Sequence, residues 1–259
     1  LFVRLCLHTF EVNRLSLKIY FFLSIFMIQP LVYKFGGASI KDAKAIQRIA
    51  QLLKSRWVNN LVIVVSAAGK TTDRLEELIS LSFDNKEFNG PLMDLMEYHL
   101  DLCKGLFEEG HSIYSRVENH FAQLHRGLEN TSIKENQGFF YDQIIGYGEL
   151  ISTRIIQEYL CLIGCSCLWQ DARELISTDS HTKMAKVDWA LTMQHCRKAL
   201  IPKLESFPVV TQGFIGKDLQ GNTTTLGREG SDFTAAILGV SLGASSVTIW
   251  KDVAGILNG

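Results

Sequence analysis

The stretch Leu31-Val32-Tyr33-Lys34-Phe35-Gly36-Gly37-Ala38-Ser39 reads as a short buried strand that runs into a diglycine turn. Residues 40–57 follow as an amphipathic helix, with Ala45, Ile46, Ile49, Leu52 and Leu53 on one face. Strand, glycine turn and helix together form a cradle in which backbone N–H groups can approach an anion. The pattern is neither G-x-G-x-x-G nor a Walker A loop, so the meanings of those motifs do not transfer. Lys34 either brings a point charge to the turn or is simply a lysine at a strand edge.

Working outward, Leu61-Val62-Ile63-Val64-Val65 is apolar throughout, as expected of a strand covered on both faces in a parallel sheet. The polar run Ser66-Ala67-Ala68-Gly69-Lys70-Thr71-Thr72-Asp73 follows it. Gly69-Lys70-Thr71 looks like the tail of a Walker A loop, but Val64 stands where its first glycine is required. Residues 165–169, 208–212 and 247–250 read as further strands, and 188–200 as a helix. Residues 91–145 read as a helical insertion with Leu92, Leu95, Met96, His99 and Cys103 on one face, and no chemistry is expected there. Gly146-Tyr147-Gly148-Glu149 opens a helix over 150–160. Glu149 there either complements the helix dipole or binds an ammonium. Strands alternating with helices, each strand followed by polar or glycine-rich residues, predict an open α/β sheet with ligands at the carboxyl ends of its strands.

A second dense stretch is Thr223-Thr224-Thr225-Leu226-Gly227-Arg228-Glu229-Gly230-Ser231-Asp232, leading into the apolar helix that starts at Phe233. Arg228 offers a fork that matches a carboxylate or phosphate. Asp232 either caps the helix or organises a cation. The plainer alternative is a Ser/Asp cap on a core helix with Arg228 in a surface ion pair.

The 259 residues, 47% apolar and 20% charged with formal net charge −1, fit one large α/β domain or two small ones. That balance gives no electrostatic argument for nucleic acid or an acidic partner. Most of the six cysteines lie in apolar runs, as reduced buried thiols of a cytoplasmic protein do. Cys161, Cys165 and Cys167 lack the paired C-x₂-C spacing, so no metal site is expected. In residues 1–30, Arg4, Arg14 and Lys18 precede an apolar run, but no small-residue cleavage site follows. The run is short for a membrane span. Residues 1–30 are expected to be an extension, with Met27 as the natural start.

Five segments in order resemble the aspartate kinase branch of the amino-acid kinase family. They are Lys34-Phe35-Gly36-Gly37-Ala38-Ser39, the Ser66 polar run, Gly148-Glu149-Leu150-Ile151-Ser152-Thr153, residues 212–232, and residues 249–255. The helical block before Gly148 resembles aspartate kinases more than the shorter acetylglutamate or uridylate kinases. The resemblance implies a three-layer α/β/α sandwich with a mostly parallel central sheet over 31–259. It implies transfer of the γ-phosphoryl of ATP, with Mg²⁺, to the β-carboxylate of L-aspartate, the first step toward lysine, threonine and methionine. Lys34 and Asp232 would be catalytic. Lys34, Gly36, Gly37, Lys251 and Asp252 would hold the nucleotide. Ser66, Thr72, Glu149, Phe214, Thr225, Arg228 and Ser231 would hold aspartate, with Glu149 on its ammonium and Arg228 on its α-carboxylate. No protein-bound metal, nucleic acid or membrane is implied, and a homodimer is left open. Ala38 stands for the family's Thr, Glu229 for a frequent Gly, Lys251 for Thr and Leu257 for Tyr. The family's Asp-Pro-Arg segment and its ligand-sensing ACT domains are not in the sequence, so an incomplete nucleotide site is expected. The alternatives are a catalytically incomplete fragment that binds aspartate or a partner chain, and another amino-acid kinase such as one acting on acetylglutamate.

Overall fold

A computed structural model of the chain describes residues 29–251. The readings of residues 1–28, Asp252 and Leu257 lie outside the described residues. Five strands form one parallel sheet: β1 (Leu31–Phe35), β2 (Leu61–Val65), β3 (Leu168–Gln170), β4 (Val209–Gln212) and β7 (Ser246–Trp250), in the order β3-β4-β2-β1-β7. β1 lies between β2 and β7, with Lys34 opposite Val64 on one side and Ile249 on the other. All five residues of β2 are buried, as its unbroken apolar run requires.

Successive side chains of a strand point to opposite faces, and that alternation separates two cores. Phe35, Leu61, Ile63 and Val65 enter the larger one. It is covered by α1 (Ala43–Ser55), α2 (Thr71–Phe83), α3 (Asn89–Lys104), α4 (Ile113–Glu129), α5 (Gln137–Ile145) and α6 (Tyr147–Leu162). Val32, Val62 and Val64 enter the smaller one, beneath α7 (Trp189–Leu204) and α8 (Gly230–Leu242). The result is the expected three-layer α/β/α sandwich, with the helical insertion all on one face.

Three local readings shift. The helix expected over 40–57 begins as a 3₁₀ turn, Gly37–Ile40, and α1 starts only after Asp42, whose side chain accepts the Ala45 N–H at 2.7 Å. β3 falls later than 165–169, because Cys165 and Cys167 are drawn into the larger core. Thr223–Thr225, read only as a run of hydroxyls, is the strand β6, antiparallel to β5 (Ile215–Lys217). Among the described residues, no helix is long and apolar enough to cross a membrane.

Candidate active site

The carboxyl ends of β1, β2, β4 and β7 stand side by side, and the segments after them build one site. Lys34 shares the strand parity of Val32, so it points toward α8 rather than into the larger core. Its Nζ lies 2.5 Å from Asp232 Oδ1, in the first turn of α8. Lys251, just past β7, brings its Nζ to 3.3 Å from Asp232 Oδ2. Partial burial pushes the Asp232 carboxyl up, but the Lys34 and Lys251 ammoniums outweigh it and hold the group below its ordinary value. Asp232 is therefore an ionised carboxylate between two cations.

The turns after β1 and β2 lie back to back. The Gly69 N–H donates to the Gly37 carbonyl at 3.0 Å, and a β-carbon on Gly37 would stand 2.5 Å from the Ala67 carbonyl oxygen. Only glycine permits that approach. Gly148 does the same for α6, where a β-carbon would meet that of Ala67 at 2.7 Å. The first turn of α6 thus abuts the β2 turn and buries Glu149 to 4% exposure. Burial pushes the Glu149 carboxyl up to about 8, against the opposing pull of the Ala67 N–H and the Lys34 charge. Its Oε2 has no hydrogen-bond partner. A buried carboxyl with an open acceptor beside a cavity calls for a cationic group.

Lys34, Gly36, Gly37, Ser66, Thr72, Glu149, Phe214, Arg228, Ser231, Asp232 and Lys251 all line one cavity of about 820 Å³. Thr225 does not join them. It is fully buried, and its hydroxyl donates to Asp142 Oδ1 at 2.7 Å. β6 pairing turns that hydroxyl toward α5 instead of the cavity. Sequence reasoning missed Glu76, Tyr141 and Lys183, which also line it. Tyr141 comes from the insertion where no chemistry was expected, and its hydroxyl donates to Glu76 Oε1 at 3.1 Å. Three rim residues, Lys183 (φ 63°), Phe214 (φ 72°) and Glu229 (φ 56°), hold left-handed backbone without being glycine. Such strain gathers where a site over-determines its geometry. A usable signal was present only for Phe214 and Glu229, each next to a glycine in a strand-end turn.

The remaining candidate groups stay out of the site. His99 is buried in the larger core, its Nδ1 2.9 Å from the Leu95 carbonyl, and burial lowers it to about 4. Cys161 and Cys167 have sulfurs 3.9 Å apart near the end of α6. Among the described residues, no group of three or more His, Cys, Asp or Glu is placed to hold a metal ion.

A lysine–aspartate pair beside a glycine turn, at the carboxyl ends of a parallel sheet with helices on both faces, defines an open α/β protein with its cavity at the strand ends. The chain belongs to the amino acid kinase family, whose model matches residues 29–259. It is 34% identical over 228 residues to the bifunctional aspartokinase/homoserine dehydrogenase 2 of Escherichia coli K12, covering 87% of this chain and 27% of that protein. It is 35% identical over 237 residues to aspartokinase 2, chloroplastic, of Arabidopsis thaliana, covering 87% of this chain and 42% of the relative. Solved structures of Escherichia coli aspartokinase III, one with lysine and aspartate and one with aspartate and ADP, each match at TM-score 0.78 and 31% identity. Each match covers 88% of this chain and 50% of the solved one. The chain spans half or less of the length of these relatives.

Proposed function

We propose that residues 31–259 are the kinase portion of an aspartate kinase, transferring the γ-phosphoryl of ATP to the β-carboxylate of L-aspartate. The observation that carries this reading is the convergence of Lys34, Asp232, Glu149 and Arg228 on one cavity. A carboxylate acceptor is ionised at neutral pH and needs no general base, so the protein's work is positioning and charge stabilisation. The acceptor's β-carboxylate oxygen attacks the γ-phosphorus as the bond to the β-phosphate oxygen breaks, giving an acyl phosphate and ADP. Lys34 and the Gly36–Gly37 backbone would hold the transferring phosphoryl. Glu149 would take the substrate ammonium and Arg228 the α-carboxylate, with Ser66, Thr72, Phe214 and Ser231 around them. Asp232, ionised, would keep Lys34 aimed.

The Gly36–Gly37 turn on the cavity wall and the Lys34 and Lys251 charges suit a nucleotide's phosphates. Mg²⁺ would be held largely by those phosphates, where it neutralises their charge. Among the described residues, Cys103, Cys161, Cys165, Cys167 and Cys196 are all unpaired, which favours a reducing compartment such as the cytoplasm.

ATP-dependent aspartyl-hydroxamate formation tests the reading. Product from the chain that Lys34→Ala lowers at least about a hundredfold would support the reading. Equal activity in the variant would remove Lys34 from the chemistry. No product from the parent chain, with aspartate still raising its melting temperature, would reduce the reading to binding alone.

A further inference from the structure

Lys183 carries a β-carbon in a backbone conformation, φ 63°, that glycine adopts freely. Its surroundings hold it there. Both oxygens of Asp142 accept the Lys183 N–H, at 3.1 and 3.0 Å. Asp142 is 1% exposed, and its Oδ1 also takes the Thr225 hydroxyl at 2.7 Å. The Ala185 N–H donates to the Thr225 carbonyl at 2.9 Å. Lys183 is thereby strapped to α5 and β6. Its carbonyl oxygen would stand 3.3 Å from a β-carbon on Gly227, the residue before Arg228. Its Nζ lies 4.9 Å from the centre of the Tyr141 ring and faces the cavity that Arg228 and Glu149 also line. Among the described residues, no carboxylate lies within ion-pair distance of this ammonium. A left-handed backbone thus sets an exposed ammonium at the cavity rim, where its charge acts on the Asp142 carboxyl without closing an ion pair.

We propose that Lys183 is a further acceptor-binding residue, sharing the α-carboxylate of the amino-acid substrate with Arg228, and that Asp142 is the positioning residue that sets it there. The proposal rests on the aspartate kinase reading. A nucleotide phosphate offers the same anionic chemistry. The acceptor is favoured because Lys183 adjoins the Gly227–Arg228 turn and Tyr141. The glycine cradle, Lys34 and Lys251 make up the other group of anion contacts.

The test is calorimetric titration of the 259-residue chain with L-aspartate, its α-amide and MgADP. Lys183→Gly is expected to weaken L-aspartate about tenfold and to leave MgADP unchanged. Glycine suits this backbone, so the melting temperature should hold or rise, which separates lost binding from lost folding. The α-amide should bind the parent weakly and the variant no worse, and Lys183→Arg should recover most of the L-aspartate affinity. Asp142→Asn should also weaken L-aspartate, and combining it with Lys183→Gly should add little further loss. Unchanged L-aspartate affinity in Lys183→Gly overturns the proposal while leaving the functional reading intact. A loss confined to MgADP overturns it in favour of a phosphate contact. A parent chain that binds no L-aspartate overturns both.

Discussion

Replacing Glu149 by Gln keeps the shape of the side chain and removes its titration. The folded carboxyl is raised from its ordinary 4.5 to about 8 by burial. A raised carboxyl means that the native state holds a proton which the unfolded chain has already released. The stabilisation from that proton is complete below the ordinary value and is lost as pH rises through about 8. At about 1.4 kcal/mol per unit, the parent loses roughly 3 kcal/mol between the unfolded value and pH 7, and roughly 5 above the folded value. Glu149→Gln escapes this loss. Urea unfolding at pH 5, 7 and 9 should show a stability gap in favour of the variant that is small at pH 5 and widens at each step. Every other titrating group is common to both proteins, so the gap isolates this one. Ligand binding should move the opposite way, because a substrate ammonium needs the ionised form. Aspartate affinity of the parent should rise with pH up to about 8, and Glu149→Gln should bind on the order of tenfold more weakly or worse. A gap that does not change with pH would refute the burial argument. Undiminished aspartate affinity in the variant would refute the ammonium assignment.

Three other substitutions probe the surrounding geometry. Gly37→Ala places a β-carbon 2.5 Å from the Ala67 carbonyl oxygen, so it should lose roughly 1–3 kcal/mol in urea unfolding and weaken MgADP by calorimetry. Glu229→Gly relieves a left-handed residue at φ 56° and should gain about 1 kcal/mol in the same assay; a loss would mean the glutamate side chain anchors the turn. Thr225→Val takes the hydroxyl from buried Asp142, whose carboxyl burial already lifts to about 6. It should destabilise by roughly 1–3 kcal/mol at pH 8, with the deficit shrinking below about pH 6 as Asp142 takes its own proton.

The sheet was legible because β2 is apolar along its whole length and the helices between strands carry a clear period. Lys34, Gly36, Gly37, Arg228 and Asp232 were legible because each sits in a dense polar or glycine-rich run directly after or at the end of a strand. The β5–β6 hairpin was not, since three consecutive threonines carry no alternation of apolar and polar residues. Its pairing is what turns Thr225 away from the cavity. Nor was the burial of Glu149. It depends on α6 being covered on several sides, with Leu150, Ile151, Ser152 and Thr153 all buried in succession. Tyr141 and Lys183 reach the cavity from a helix and a loop that are distant in sequence from the strand ends around it, so only the tertiary packing of α5 and the 183–185 segment against β6 brings them in.

The alternation of facing along β1 also constrains how this gene can change. Losing one codon upstream in the strand would turn Lys34 to the face of Phe35, away from Asp232, and force an ammonium among the apolar side chains of the larger core. Losing two would keep its facing and only shorten the strand. Whole-codon insertions and deletions should instead gather among descendants in the exposed turns at 84–87 and 108–110. Within β1, a single-codon change should act like a loss of the lysine itself.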